Sequence, residues 1–137
     1  MTNTKPVEEL VQWWADEYNK GVGYAAIIMH PEGTLTERPS AQYSAGRTVN
    51  RDGLVAMENR QLALQPDRKI HLEWVAPLAE DGHALIQYWH QGHTKDGTEL
   101  TFFGLSTIQF RDDHVYRWVD TVVRFRRPDG EATLTPY

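Results

Sequence analysis

The chain has 137 residues, of which 40% are hydrophobic and 24% charged, and a formal net charge of −5. That is one domain's length, expected to run 1–137, with a core that can bury roughly 65–70% of the unfolded surface. The composition excludes a disordered chain, the acidic balance argues against a nucleic-acid partner, and the absence of cysteine excludes disulfides, thiol catalysis and cysteine-held zinc. No apolar run approaches the roughly 18 residues of a transmembrane helix. The opening MTNTKPVEEL has no apolar h-region, so no signal peptide is expected and a soluble, cytoplasmic protein follows. Five Trp, six Tyr and four Phe are enough to line an apolar pocket or to fill a core.

The first predicted element is a helix over Pro6–Asn19, with Pro6 in the first turn and Thr4 as its cap. Val7, Leu10, Val11, Trp14 and Tyr18 share one apolar face, and Gly21 and Gly23 end the helix. A short helix over Tyr24–Met29 stops before His30-Pro31, and a short strand is expected near Thr34–Arg38. A third helix over Arg51–Leu64 is capped by Asn50 and stops before Pro66. Four strands follow, near Lys69–Ala79, His83–Thr94, Thr98–Arg111 and Val115–Arg126, divided by turns at Asp81-Gly82, Asp96-Gly97 and Asp112-Asp113. Asp-Gly between alternating hydrophobics is a strong hairpin signal, so these strands form an antiparallel meander. Pro128-Asp129-Gly130 reads as a final turn. Helices first and strands second define an α+β fold.

Turn length sets which residues face one another. Two-residue loops at Asp81-Gly82 and Asp96-Gly97 pair Ala76 with Gln87, Trp74 with Trp89, Gln91 with Phe102, Trp89 with Gly104 and Gln87 with Ser106. A three-residue loop at Asp112, Asp113 and His114 brings Ser106 opposite Asp120; a two-residue loop turns Asp120 to the other face. On the first register a polar row, Gln87, Ser106 and Asp120, lies between rows containing Trp74, Trp89 and Trp118, with strands about 4.8 Å apart. A carboxylate among indoles has its pKa raised by desolvation, the condition for acid–base work near neutral pH. The alternative is a structural Asp120, hydrogen-bonded to Ser106 and Gln87.

The other sheet face is then expected to carry Glu73, Val75, Ile86, Tyr88, His90, Phe103, Leu105, Val119 and Val123. Three helices cannot cover both faces, so a homodimer through this convex face is expected. Glu73 and His90 pair across it as a salt bridge. His90 and His93 fall on opposite faces, so no metal site is expected. Arg124, Arg126 and Arg127 form a short basic run that reads as a solvated strand end, the alternative being that Arg124 meets an anionic substrate group on the pocket side, and no phosphate loop, nucleophile elbow or HExxH motif occurs.

Over about residues 7–125 the chain resembles the nuclear transport factor two-like superfamily, in particular its SnoaL-like polyketide cyclase and limonene epoxide hydrolase branches. The resemblance rests on the helix order, on Asn50-Arg51-Asp52-Gly53 opening the third helix, and on Phe110 followed by Val115-Tyr116-Arg117-Trp118-Val119-Asp120. It implies a cone-shaped α+β barrel, with N-terminal helices covering a strongly curved antiparallel sheet. An Asp two residues after a Trp on the last strand works inside the pocket in those branches. Trp118 and Asp120 match it, which supports the longer turn. The Arg and second Asp of the epoxide hydrolases are replaced by Gln87 and Trp89. Ketosteroid isomerases of the superfamily use a Tyr and two Asp where Trp14, Arg38 and Ser106 stand.

Two functions follow as expectations. The first is a small-molecule enzyme without metal or organic cofactor, catalysing cyclisation, isomerisation or a lyase-type dehydration of an apolar, oxygenated substrate. In it Asp120 moves the proton, and Gln87 and Ser106 hold a carbonyl or enolate oxygen. Trp14, Tyr18, Trp74, Trp89, Phe102, Trp118 and Arg124 contact the substrate. The second is a non-catalytic ligand-binding or protein-association module on the same fold.

Overall fold

The computed structural model describes residues 3–39, 46–127 and 130–133, with side chains up to Val123. Three helices, α1 (Val7–Asn19), α2 (Tyr24–Ile28) and α3 (Arg51–Leu64), pack on a sheet of β1 (Met29–Glu37), β2 (Arg47–Asn50), β3 (Lys69–Pro77), β4 (His83–His93), β5 (Glu99–Arg111), β6 (His114–Arg127) and β7 (Gly130–Thr133). The sheet order is β2-β1-β6-β5-β4-β3, with β7 also on β6. The sheet curls without closing, so the expected α+β barrel is an open one. The turn expected at Pro128-Asp129-Gly130 lies outside the described residues except for Gly130.

In α1, Leu10, Val11, Trp14, Ala15 and Tyr18 are buried, the stripe that its 3.6-residue period dictates. Pro6 occupies its N-cap without a side-chain cap. Thr4, expected as the cap, instead binds Asp113: its N–H donates to Oδ1 at 2.7 Å and its hydroxyl to Oδ2. That bond ties the start of α1 to the β5–β6 turn. Asn50 caps α3 by accepting the Gly53 N–H at 2.9 Å. The buried Glu58 accepts the N–H groups of Gly23 and Ala25 at 3.2 and 2.8 Å, which docks α2 on α3.

The strand expected near Thr34–Arg38 is longer, starts at Met29, and runs parallel to β6. His30-Pro31-Glu32-Gly33 reads locally as a turn, but a register shift between Met29 and Thr34 absorbs it into the strand. Strands β2 and β7, four residues each, carry no periodic signal of their own.

The hairpin registers differ from the expected ones, with a large effect on β4. The Asp96-Gly97 connection is a three-residue loop between Thr94 and Thr98, with Gly97 at φ +86° and Asp96 accepting the Thr98 N–H. The extra residue pairs Ile86 with Ser106, Gln87 with Leu105, Tyr88 with Gly104, Trp89 with Phe103 and His90 with Phe102. Side chains alternate with a period of two, so this slip by one turns the whole of β4 over. Ile86 and Tyr88 are buried against the helices and His90 faces the same side, whereas Gln87 and Trp89 go to the convex face.

The β3–β4 connection is longer than two residues as well, with Leu78 N–H donating to His83 O, and Glu73 bulges between Leu72 and Trp74. Trp74 therefore pairs with Gln87, Ala76 with Leu85, and Val75, packed on the core, with Ile86. The expected Glu73–His90 salt bridge does not form: Glu73 accepts from Gln87, and His90 pairs with Ile70.

The β5–β6 turn is the shorter alternative, two residues with Asp112 and Asp113 at φ 52° and 61°. A bulge between Gln109 and Phe110 then adds the residue the turn lacks, and Ser106 stands opposite Asp120 after all.

Candidate functional site

A cavity of about 230 Å³ lies between the concave face of the sheet and the helices. Asp120 of β6 is at its floor, buried. Asp120 Oδ1 accepts two hydrogen bonds, from Tyr88 Oη and from Ser106 Oγ, each 2.6 Å long. Ser106 Oγ accepts in turn from Trp118 Nε1 at 3.1 Å. Neighbouring strands supply all four residues, so the antiparallel register builds the network. The Thr121 N–H adds a backbone hydrogen bond to the carboxylate, and Asp120 is part of the cavity lining.

Burial pushes the Asp120 carboxyl up to about 6; the Ser106 and Tyr88 hydrogen bonds limit the rise and the Glu37 charge adds to it. Glu37 is the register partner of Asp120 on β1, is buried, and accepts from Arg47 Nε at 2.7 Å. Tyr88 is raised well above its ordinary value, first by burial and then by the Asp120 charge, so it stays a donor.

The wall by α1 and α2 is aromatic: the Tyr18 and Tyr24 rings lie 4.6 Å apart. Phe102 stacks on His90 at 4.7 Å. Burial, with the Arg68 charge second, pushes His90 down to about 3, so its ring is neutral near pH 7. Arg68 enters from the connection between α3 and β3, buried, with its guanidinium 4.6 Å from the Tyr18 ring centre.

Of the residues the sequence singles out, Asp120, Tyr18, Phe102 and Trp118 line this cavity. Ser106 is buried beneath Asp120, its hydroxyl used by Asp120 and Trp118, so it positions the carboxylate rather than meeting a substrate oxygen. Trp14 is fully buried behind Trp118, edge-on at 5.2 Å, and is core rather than lining.

Gln87, Trp74 and Trp89 are displaced from the site by the β4 register. On the convex face Gln87 accepts from Trp74 Nε1 at 2.8 Å and donates to Glu73 at 2.6 Å, and Trp89 stacks on His71 at 3.9 Å. The Arg124 side chain lies outside the described residues.

Tyr88 and His90, expected on the convex face, line the cavity instead, together with Glu37, Tyr24 and Arg68, which no sequence pattern marks as site residues. The first two were legible in principle: a three-residue hairpin ending in Gly is a common alternative to the two-residue one. Arg68 gives no periodic signal, because it sits in a connection. Among the described residues no three His, Asp or Glu are grouped to hold a metal ion, and no helix is long and apolar enough to cross a membrane.

No protein-family model matches the sequence, and no curated protein is similar to it. Solved structures are similar in fold. A hypothetical protein with a ketosteroid isomerase-like fold from Catenulispora acidiphila, solved with trimethylamine, has a TM-score of 0.67 at 17% identity, over 82% of this chain and 83% of that one. A candidate SnoaL-like polyketide cyclase from a Jannaschia species has a TM-score of 0.65 at 13% identity, over 83% of each chain. A nuclear transport factor two-like protein of unknown function from Burkholderia pseudomallei has a TM-score of 0.67 at 10% identity, over 87% of this chain and 92% of that one. The fold is the nuclear transport factor two-like fold, with helices over a curled sheet and a cavity between them. Its structural neighbours include SnoaL-like and ketosteroid isomerase-like proteins.

Proposed function

We propose that the protein is a cofactor-independent enzyme in which Asp120 carries a proton between two positions of a small, largely apolar, oxygenated substrate. The observation that supports this most is the buried Asp120 in the cavity lining, held by two side-chain donors on one oxygen, with a pKa near 6. In this reading the Asp120 carboxylate takes a proton from a carbon beside a carbonyl, and the C–H electron pair passes into the enolate. The protonated carboxyl then returns the proton to another carbon, giving isomerisation; in a cyclisation the enolate carbon instead attacks a second carbonyl of the substrate, whose C=O π pair moves onto oxygen and takes the proton from the carboxyl. Tyr88 and Ser106 orient the carboxylate throughout and stabilise its ionised form. The neighbours named as polyketide cyclase-like and ketosteroid isomerase-like are consistent with such chemistry on this fold.

The test is turnover on a panel of cyclic enones and β-dicarbonyl compounds, with solvent deuterium exchange at the carbon acid followed by NMR. Exchange that depends on Asp120 supports the reading. No exchange on any compound that binds favours a binding module instead. A homodimer through the convex face belongs to the same proposal, supported by exposed Trp74, Leu105 and Val123 on that face.

A further inference from the structure

Arg68 is 3% exposed, and its guanidinium is held only by neutral groups: Gln61 Oε1, which accepts from Nη1 at 2.6 Å, and the Tyr24 phenol. Neither Nε nor Nη2 has one among the described residues, and the same holds for Nε2 of the buried Gln65. All three donors belong to residues lining the cavity. Buried donors are nearly always satisfied, and a buried cation without a counter-ion is more unusual still. Nε–H and Nη2–H form one edge of the guanidinium and point the same way, the fork that takes both oxygens of a carboxylate.

Among the described residues no carboxylate forms an ion pair with Arg68, although Asp120 and Glu37 line the same cavity. Tyr24, against the guanidinium, is pushed up to about 12, chiefly by burial, and is neutral near pH 7. Glu58 is used in holding α2, and Glu37 is bonded to Arg47. Since His90 is neutral near pH 7, Arg68 is the one cation lining the cavity among the described residues.

We propose that Arg68 is a carboxylate anchor, and that the cavity takes a small monocarboxylic acid with an apolar, ring-sized body. The acid's two oxygens meet Arg68 Nε and Nη2, Gln65 Nε2 adds a third donor, and the body lies against Phe102, Trp118 and Tyr18. At about 230 Å³ the space exceeds the roughly 150 Å³ apolar cavity that holds a benzene ring, so a ring and a short acid arm fit. This rests on the proposed function only in placing the far end of the acid toward Asp120; the binding claim stands by itself.

The experiment compares acids with their uncharged amides: butyrate, benzoate, phenylacetate and cinnamate against the four matching amides. Binding to the full chain at pH 7.5 is followed by tryptophan fluorescence and calorimetry, with chloride held constant. At least one acid is expected to bind about ten- to a hundredfold more tightly than its amide, as befits hydrogen bonds to a charged group. Arg68→Gln is expected to remove that preference, and Arg68→Lys, which keeps the charge but not the fork, to restore part of it. Equal affinity of acid and amide overturns the proposal, as does an acid series with no member binding below 10 mM, an order-of-magnitude ceiling for a weak site. The comparison on the unaltered chain decides even if the Arg68 variants fail to fold. Asp120→Asn separates this claim from the catalytic one: removing a negative charge from the same cavity is expected to keep or strengthen the acid preference while exchange chemistry is lost. Asp120-dependent exchange without any acid preference overturns the anchor alone, and acid preference without exchange overturns the enzyme alone.

Discussion

The Tyr88 phenol reaches Asp120, two strands away, by lying across Gly104 of the intervening strand. A Cβ at position 104 would sit 2.4 Å from both Tyr88 Oη and Cζ, closer than any real contact. Gly104→Ala is therefore expected to push the ring away and break the 2.6 Å bond, at a cost of roughly 1–3 kcal/mol for overpacking. Urea denaturation measures that loss; unchanged stability would show that the ring has other room.

Tyr88→Phe keeps the ring and removes the donor. The ionised Asp120 loses one of its two side-chain hydrogen bonds, so its pKa is expected to rise above the present value of about 6. Titration of the carboxyl carbon by NMR reads the shift directly, and an unmoved or lowered pKa contradicts the assigned network.

Asp120→Asn keeps size and an acceptor oxygen for Tyr88 and Ser106 but removes the titrating proton. Turnover is expected to fall by roughly 10²–10⁴, the usual share of general acid–base catalysis. The fold is expected to survive, because an amide relieves the burial penalty of the charge. Marked destabilisation with normal turnover in the remaining folded protein would make Asp120 structural.

The same variant isolates a pH effect. The Asp120 pKa is raised from 3.8 unfolded to about 6 folded, so between these values the folded state binds the extra proton. Its contribution to stability is thus greatest below pH 4 and is lost as pH rises through 6, on the order of 3 kcal/mol in all. His90 works the other way, its pKa depressed to about 3, and loses stability as pH falls from 6.5. In the difference between Asp120→Asn and the parent, the His90 contribution cancels. The variant is expected to gain in relative stability from pH 4 to 6 and to level off above 7. A flat difference across that range would mean that burial does not perturb Asp120.

On the convex face Leu105 and Val123 are exposed beside Trp74. A stable interface buries about 1,600 Å² in total, and a glutamate at its centre opposes that burial. Leu105→Glu is expected to turn a dimer of the parent chain into a monomer by light scattering at micromolar concentration. A parent chain that is already monomeric there removes the dimer from the proposal.

Local chemistry determined much of this protein from the sequence alone. The apolar stripe from Leu10 to Tyr18 defines α1, Asn50 starts α3, and the alternating runs after Lys69 mark β3 to β6. Alternation left two registers open for Ser106 and Asp120, and the family resemblance favoured their opposition; a two-residue turn plus a bulge produces it rather than the expected three-residue turn. Only the tertiary structure decided which face β4 presents. A hairpin sequence permits loops of two or three residues at nearly equal cost, and with a side-chain period of two that choice exchanges Gln87 and Trp89 for Tyr88 and His90 in the cavity. Arg68 shows the same limit in a connection: burial of a charged side chain depends on what packs over it, here the Tyr18 ring, which is distant in sequence and which no local pattern can show.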